Sequence, residues 1–495
     1  MALESQDRPD YKNTAYVSMS RGWKTVRDVA AGTLAVRDCG KEYLPRFPAE
    51  HKDSYQERLK SATLFNAYAR TVQALVGMIF KKNPVLSEDV PAVIRGDADS
   101  PVEGHAENID LAGTHFDVFA REVVESAFAG HCFVLVDMQN PLADGATRAD
   151  ELRANLRPYW VKYEAARALN FRAVKINGQL EIGQITFEER SGAPAGRFGE
   201  REVLRYRTFM LEPVAAGEFA VRWEVRERVR DEHGEDAFPI VEGPGYVRGF
   251  SRIPVAVAYG RKTGFLESRP PLLDLALLNI SYYQKKSDRD QSLHKCGNPI
   301  PLFVGVPEDW NILAAGSGYG IKLPGGASAS YMEPQGNALQ ESREDLAELR
   351  GEMAALGLST LQARPQVAAT ATESVIDFTQ ESSELETIAR SAADCFESCL
   401  GFHARYLGLP SGGSLSLGSH LKSMRLTAQQ IQVYAGMAAT GDLSRLTLWE
   451  IMRGGDALPD TFDPTAEAAR LKEQRHSLGA QLLRDFDGGG EGVDA

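Results

Sequence analysis

Between Pro334 and Leu409 the apolar positions repeat at helical spacing on either side of a loop poor in charge. Leu339, Leu346, Leu349, Met353 and Leu356 fall at heptad-like steps, and Glu341, Arg343, Glu344, Asp345, Glu348, Arg350 and Glu352 cover the other faces. This pattern predicts a helix over 339–356. Gly357–Ala369 reads as a loop with Gln362, Arg364, Pro365 and Gln366 at its centre. A second helix opens at Thr370, where Glu373 stands at capping-box spacing. It carries Val375, Phe378, Leu385, Ile388, Ala392, Phe396, Leu400 and Tyr406 before Gly408 and Pro410 stop it. At about 1.5 Å per residue it would be about 55 Å long. A rod of that length with a narrow apolar seam needs neighbours, either elsewhere in the chain or in further copies of it.

The same reading predicts the remaining elements. Residues 1–49 read as irregular. One helix is expected from Asp53 to Lys81, with Tyr55, Leu59, Ala62, Phe65, Tyr68, Val72, Leu75 and Ile79 on its apolar face and Lys81-Lys82-Asn83-Pro84 ending it. Residues 85–112 read as loop, and a helix from Thr114 to Ala129 follows. His131–Met138 is a buried strand, since Phe-Val-Leu-Val is apolar without alternation. Residues 158–260 are β-rich, and Asn177-Gly178 marks a tight hairpin between Phe171–Ile176 and Leu180–Phe187. Pro270-Pro271 opens a helix over Leu272–His294 with Leu275, Leu278, Tyr282 and Tyr283 on its apolar side and a polar second half. A compact insertion follows, with a strand at Ile300–Val306, a turn at Pro307–Asn311 and the Gly-rich Ala314–Ser330. After the long helix pair come a short strand at Leu415–Leu417 and helices at Thr427–Ala439, Ser444–Arg453 and Thr465–Arg484. The Gly/Asp-rich end, Asp485–Ala495, reads as disordered.

At 495 residues the chain is long enough for two to four lobes. Its composition, 43% hydrophobic and 25% charged, is ordinary for a soluble globular protein. No run of 18 apolar residues exists, so no membrane contact is expected, and Met1–Pro9 has no signal-peptide core. The cysteines (Cys39, Cys132, Cys296, Cys395, Cys399) are few and scattered, which fits a reducing compartment. A net charge of −13 argues against tight, sequence-independent binding of nucleic acid, although an acidic wall can surround DNA without holding it. Reaction chemistry is sparse. No P-loop, H-E-x-x-H or G-x-S-x-G occurs, and Gly260-Arg261-Lys262-Thr263-Gly264 reads as a surface turn. Cys395, Cys399 and His403 share one helical face and could in principle hold a metal, but small residues at a helical seam are the plainer reading. The acidic run Asp231-Glu232-His233-Gly234-Glu235-Asp236 reads as a solvated hairpin loop, and His131 as a satisfied structural histidine. Neither catalytic nor metal-binding residues nor a cofactor are expected, and the chain is not expected to be an enzyme.

Several ordered stretches carry a resemblance. Val76-Gly77-Met78-Ile79-Phe80-Lys81-Lys82-Asn83-Pro84 ends one helix. Asp110-Leu111-Ala112-Gly113, Phe119-Ala120 and Gly130-His131-Cys132-Phe133-Val134-Leu135-Val136-Asp137 follow it. Arg157-Pro158-Tyr159-Trp160 and Asn170-Phe171-Arg172 lie in the β-rich part. The most specific run is Pro270-Pro271-Leu272-Leu273-Asp274-Leu275-Ala276-Leu277-Leu278-Asn279-Ile280, followed by Gly297-Asn298-Pro299-Ile300-Pro301. Gly441-Asp442-Leu443-Ser444 and Trp449 come last. In this order, over about residues 50–475, the chain resembles a tailed-bacteriophage portal protein, in particular the branch long catalogued only as a domain of unknown function.

The resemblance implies an α+β portal-type fold that forms a cyclic ring. Its parts would be an N-terminal arm (1–49), a wing (50–265), stem helix one (266–295), a small αβ clip (296–335), stem helix two (336–356), a tunnel loop (357–369), a long helix with a wing return (370–425), a helical crown (426–484) and a tail (485–495). The implied function is a DNA conduit at one capsid vertex for genome packaging, retention and ejection. The ring would be a homo-dodecamer passing double-stranded DNA without sequence specificity, assembled in the host cytoplasm and then part of the virion. Its partners would be the large terminase, a head–tail adaptor, and the major capsid and scaffolding proteins. Gln362, Arg364 and Gln366 would face the DNA, and Leu339, Leu346, Leu349, Met353 and Leu356 would be candidates for the seam between subunits. Two other readings stay open, another virion component such as an adaptor or capsid protein, and a metal-dependent hydrolase built on Cys395/His403 or the acidic 231–236 loop.

Overall fold

The structure is a computed structural model. It describes residues 6–97, 103–139, 154–215, 218–230, 234–297, 300–307, 323–332, 337–357, 371–418, 421, 428–454, 457–458 and 462–474. The chain is mixed α and β. Helices α1 (Thr14–Ala31), α2 (Thr33–Asp38), α3 (Lys52–Ser61) and α4 (Ala67–Ile79) come first, followed by the short strand β1 (Val85–Leu86) and α5 (Ala92–Arg95). Then follow α6 (Phe116–Ala127) and strands β2 (His131–Met138), β3 (Pro158–Glu164), β4 (Ala168–Ile176), β5 (Gln179–Ala195), β6 (Gly199–Ala215), β7 (Glu218–Glu227), β8 (Val229–Arg230), β9 (Asp236–Ala237), β10 (Ile240–Val247), β11 (Val255–Tyr259), β12 (Arg261–Gly264) and β13 (Glu267–Arg269). The last part holds α7 (Leu273–Gly297), β14 (Ile300–Val304), β15 (Ser328–Met332), α8 (Asn337–Gly357), α9 (Ala371–Tyr406), β16 (Leu415–Ser416), α10 (Ala428–Thr440) and α11 (Arg445–Gly454), with residues 464–474 also helical.

Strand β2 is the hinge of the packing. It lies between β11 and β3 in a three-stranded antiparallel sheet. Side chains alternate along a strand, so its two faces serve two cores. Cys132, Val134 and Val136 face a helical core with Ile79, Phe119, Val123, Phe396 and Leu400. Phe133 and Leu135 face a second core with Ile185, Phe187, Phe209 and Val221 from the five-stranded sheet β10-β7-β6-β5-β4. Burial on both sides is why this strand reads as an unbroken apolar run. The β4–β5 hairpin turns at Asn177 (φ 50°) and Gly178 (φ 85°), with Ile176 opposite Gln179. Two consecutive positive φ values make a type I′ turn, which the Asn-Gly pair foretells.

Four expectations fail. Residues 14–31, read as irregular, form an 18-residue helix capped by Asn13, whose side chain accepts from the Tyr16 backbone N–H. Tyr16, Trp23, Val26 and Val29 are its buried stripe, and it packs on α4 and on the start of α7. Mixed charge on the outer face of an amphipathic helix had hidden that stripe. The single helix expected over 53–81 is two, because Asn66 caps α4 by accepting from the Ala69 N–H and the chain between Ser61 and Ala67 is extended. Phe65, assigned to the apolar face, is 46% exposed as a result. Strand β15 begins inside the stretch read only as Gly-rich, and residues 85–112, read as loop, hold β1 and α5.

Candidate functional site

Helices α7 and α8 run antiparallel. The hydroxyl of Tyr282 accepts from the Arg350 guanidinium at 2.9 Å, and Lys285 pairs with Asp345 at 2.7 Å. Leu275, Ala276, Tyr282 and Tyr283 bury the first half of α7 in the helical core. Its second half turns polar, and Asp290 and Ser292–His294 are largely exposed. The matching half of α8, before Leu346, is also largely exposed. The pair therefore leaves the core together and ends at the β14–β15 hairpin, on which Leu302 (43%) and Val304 (55%) are open to solvent. Among the described residues the hairpin has no third strand.

The structure distributes the proposed seam unevenly. Leu346, Leu349 and Met353 are buried within the chain's own helical core, so no second copy is needed to cover them. Leu339 is half-buried and Leu356 is 52% exposed. Gly357 ends α8 so tightly that a Cβ there would lie 2.8 Å from Leu275 and from Thr71 on α4. Gln362, Arg364 and Gln366 lie outside the described residues.

Helix α9, 36 residues long, lays Leu385, Ile388, Ala389, Ala392, Cys395, Phe396 and Cys399 against β11 and β2. The Ser391 hydroxyl accepts from the Tyr259 N–H at 2.9 Å. Small residues on this face let a helix approach a sheet closely, which accounts for the two cysteines. Burial pushes the Cys395 thiol well above its ordinary range, with Cys399 adding to the effect. His403 does not converge with them on a common point. Its Nδ1 accepts from Trp160 Nε1 at 3.1 Å, and its Nε2 lies 2.8 Å from Nδ1 of His105. Indole N–H only donates, so the His403 proton sits on Nε2 and is given to His105. Burial, with smaller contributions from His105 and Arg157, lowers the pKa of His403 to about 3. Burial and Arg157 lower His105 to about 4. This chain of neutral rings ties the end of α9 to the loop before α6, and Trp160 is wedged among Phe116, Phe119 and Phe396. Among the described residues no group of three or more His, Cys, Asp or Glu is placed to hold a metal.

His131 donates to or accepts from the Ser268 hydroxyl at 2.7 Å, but its Nε2 has no partner among the described residues, so it is only half satisfied. Of the acidic run, residues 231–233 lie outside the described set, and Asp236 is committed to Arg228 at 2.6 Å and Arg8 at 3.4 Å. The Gly260–Gly264 stretch continues into strand β12 of a two-stranded hairpin with β13, its basic residues exposed. Two arrangements had no signature in the sequence. Arg58, 2% exposed in its side chain, is clamped by Glu50 at 2.8 Å, and reaches Asp288 on α7 at 3.2 Å. Arg207 joins Asp137 at 3.2 Å and Glu189 at 2.8 Å beneath Tyr163. Each forms only when residues far apart in sequence meet.

Compared with known proteins, residues 271–407 match a family described as "Domain of unknown function (DUF4055)". The match runs from the start of α7 through the end of α9. No curated protein matches the chain. Among solved structures, a chain of the neck of an empty GTA particle computed with C6 symmetry is 13% identical, with 77% of this chain and 88% of that chain covered and a TM-score of 0.38. A chain of the virion of a native gene transfer agent (GTA) particle is 13% identical over 86% of this chain and 99% of that one, with a TM-score of 0.40. A chain of the neck of a native GTA particle computed with C12 symmetry is 12% identical over 77% and 88%, with a TM-score of 0.36. Likeness at this level carries no argument about function. No helix among the described residues is long and apolar enough to cross a membrane.

Proposed function

We propose that this chain is a bacteriophage virion protein and, within that class, a portal subunit: one member of a ring through which double-stranded DNA is packaged, retained and ejected at a capsid vertex. The observation that carries this reading is the arm made by α7, β14–β15 and α8. A two-stranded hairpin is at best marginally stable alone. Here it sits at the end of a helix pair that has left the core, with Leu302 and Val304 exposed. Copies arranged around an axis would supply the missing neighbours, since cyclic symmetry gives every subunit the same two. The family match over 271–407 spans this arm together with the long helix that follows it.

In this reading α7 and α8 are the stem, the β14–β15 region is the clip that meets the terminase and later a head–tail adaptor, and 357–369 is the loop facing DNA. The ring is a dodecamer and the subunit performs no reaction. An acidic chain suits a conduit, because strong phosphate contacts would oppose sliding. Negative-stain imaging and mass photometry of the purified full chain across concentration test the proposal. Annular particles are the expected result, and solitary compact particles at every concentration would overturn it.

A further inference from the structure

The turn that brings α2 back against α1 gathers a lysine, a cysteine and two carboxylates. Lys24 and Asp28 stand one helical turn apart on α1. Gly32, with φ 91°, reverses the chain, and α2 delivers it to Cys39. A tight helical turn over Gly40–Glu42 then sets Glu42 and Tyr43 beside the same face of α1. The Lys24 ammonium donates to Asp28 Oδ2 at 2.9 Å and to Glu42 Oε2 at 2.7 Å, and lies 3.7 Å from Cys39 Sγ. The Cys39 thiol donates to Asp28 Oδ2 at 3.4 Å, and the Tyr43 hydroxyl donates to the same oxygen at 2.9 Å.

Cys39 differs from Cys132, Cys395 and Cys399, which are free thiols sealed in the helical core. It is half-buried, and the Lys24 side chain beside it is 40% exposed, so a small oxidant reaches both. At rest the pair is quiet. Burial, with the Asp28 carboxylate, holds the thiol above its ordinary range. Burial alone would lower the Lys24 ammonium, but its bonds to Glu42 and Asp28 outweigh this and raise it. Asp28 Oδ2 accepts from both groups, so a proton released by either on oxidation has an acceptor inside the cluster.

We propose that Cys39 and Lys24 are the two ends of an oxidative staple in which one oxygen atom bridges Sγ to Nζ. Hydrogen peroxide takes the thiol to a sulfenic acid; the O–O bond breaks and one water leaves. A second peroxide takes the amine to a hydroxylamine, and a second water leaves. The hydroxylamine oxygen then attacks the sulfenic sulfur, the S–OH bond breaks, and a third water leaves. One thiol, one amine and two peroxides thus give S–O–N and three waters, with sulfur and nitrogen oxidised and peroxide reduced. An inserted oxygen suits a 3.7 Å gap better than a direct S–N bond, which would draw the two atoms closer. The bridge ties α1 to the end of α2 across the Gly32 turn and restricts the unfolded chain as any cross-link does. A virion protein folded in a reducing host meets the oxidant only after release; that timing, not the bridge itself, rests on the reading proposed above.

The test treats the full-length chain with hydrogen peroxide, quenches it, blocks remaining thiols with iodoacetamide, digests it and reads the peptides by mass spectrometry. The expected species joins the Lys24 peptide to the Cys39 peptide and is one oxygen heavier and two hydrogens lighter than their sum. Dithiothreitol should return both to their reduced masses. Cys39→Ser and Lys24→Arg should each abolish the species, and Lys24→Arg keeps a cation for Asp28 and Glu42, so that control stays folded. In the linked chain, amide exchange over residues 24–39 should slow by about tenfold and recover on reduction. Cys39 recovered as a thiol, as a sulfinic or sulfonic acid, or joined to another cysteine, with no Lys24-linked peptide, would overturn the proposal. The same linked mass from Lys24→Arg chains would overturn it as well. Each of these failures leaves the conduit reading standing, since that reading is decided by annular particles.

Discussion

Histidine burial gives this protein a pH dependence that its composition does not suggest. His131 and His403 are held neutral by burial, each lowered to about 3, and His105 is lowered to about 4. In the unfolded chain the same rings titrate near 6.5. Between about pH 6.5 and pH 3 the unfolded state therefore binds protons that the folded state refuses. Stability is full above pH 6.5 and falls as pH drops through that window, by up to about 1.4 kcal/mol per pH unit for each fully buried ring. Urea midpoints at pH 7.5, 6 and 5 should decline accordingly. His403→Leu should show a shallower decline. At pH 7.5 it should also be less stable than the wild type by about 1–3 kcal/mol, since Trp160 keeps a buried N–H with no acceptor. A slope unchanged in that variant would remove His403 from the account.

At the scale of elements, two glycines separate necessity from accident. Gly130 joins α6 to β2 with φ 141°, and a Cβ there would lie 2.6 Å from Trp23 Nε1 and 3.0 Å from the Ser268 hydroxyl. Trp23 belongs to α1, so this glycine is what allows the N-terminal helix to seat against the central strand. Gly130→Ala should destabilise by about 2–4 kcal/mol, combining backbone strain with overpacking. Gly77 lies inside α4, and nothing would come within 4 Å of its Cβ. Gly77→Ala should stabilise by about 0.5–1 kcal/mol, because alanine loses less freedom on entering a helix. Thermal melts of the two variants side by side check both signs.

At the scale of the whole molecule, the proposed ring divides labour between parts that fold within the chain and parts completed by neighbours. The three-layered body, with helices against the β2 sheet and that sheet against the five-stranded one, closes its own cores. The arm and the exposed Leu356 do not. Arg364 is the sole charge in the loop assigned to the DNA path. Arg364→Ala should lower packaged or retained DNA, measured as full-capsid yield, while leaving the amount of assembled ring unchanged. Normal yield would show that the loop's charge plays no part in gripping phosphate.

The sequence by itself determined the strongly patterned elements. The unbroken apolar run at 131–138, the Asn177-Gly178 turn, and the helices opened by Pro270-Pro271 and by Thr370 are local matters of side-chain period and backbone preference, and they were legible. Much less of the candidate site was. Leu346, Leu349 and Met353 show a periodic seam, but periodicity does not say whose surface covers it, and within this chain its own core does. His403 was visible as a helical neighbour of two cysteines, while its partners, Trp160 and His105, come from 243 and 298 residues away. The Arg58–Glu50–Asp288 clamp and the seat of Trp23 beside Gly130 were decided only by tertiary structure. Their physical cause is the meeting of distant segments, and no local period encodes which segments meet.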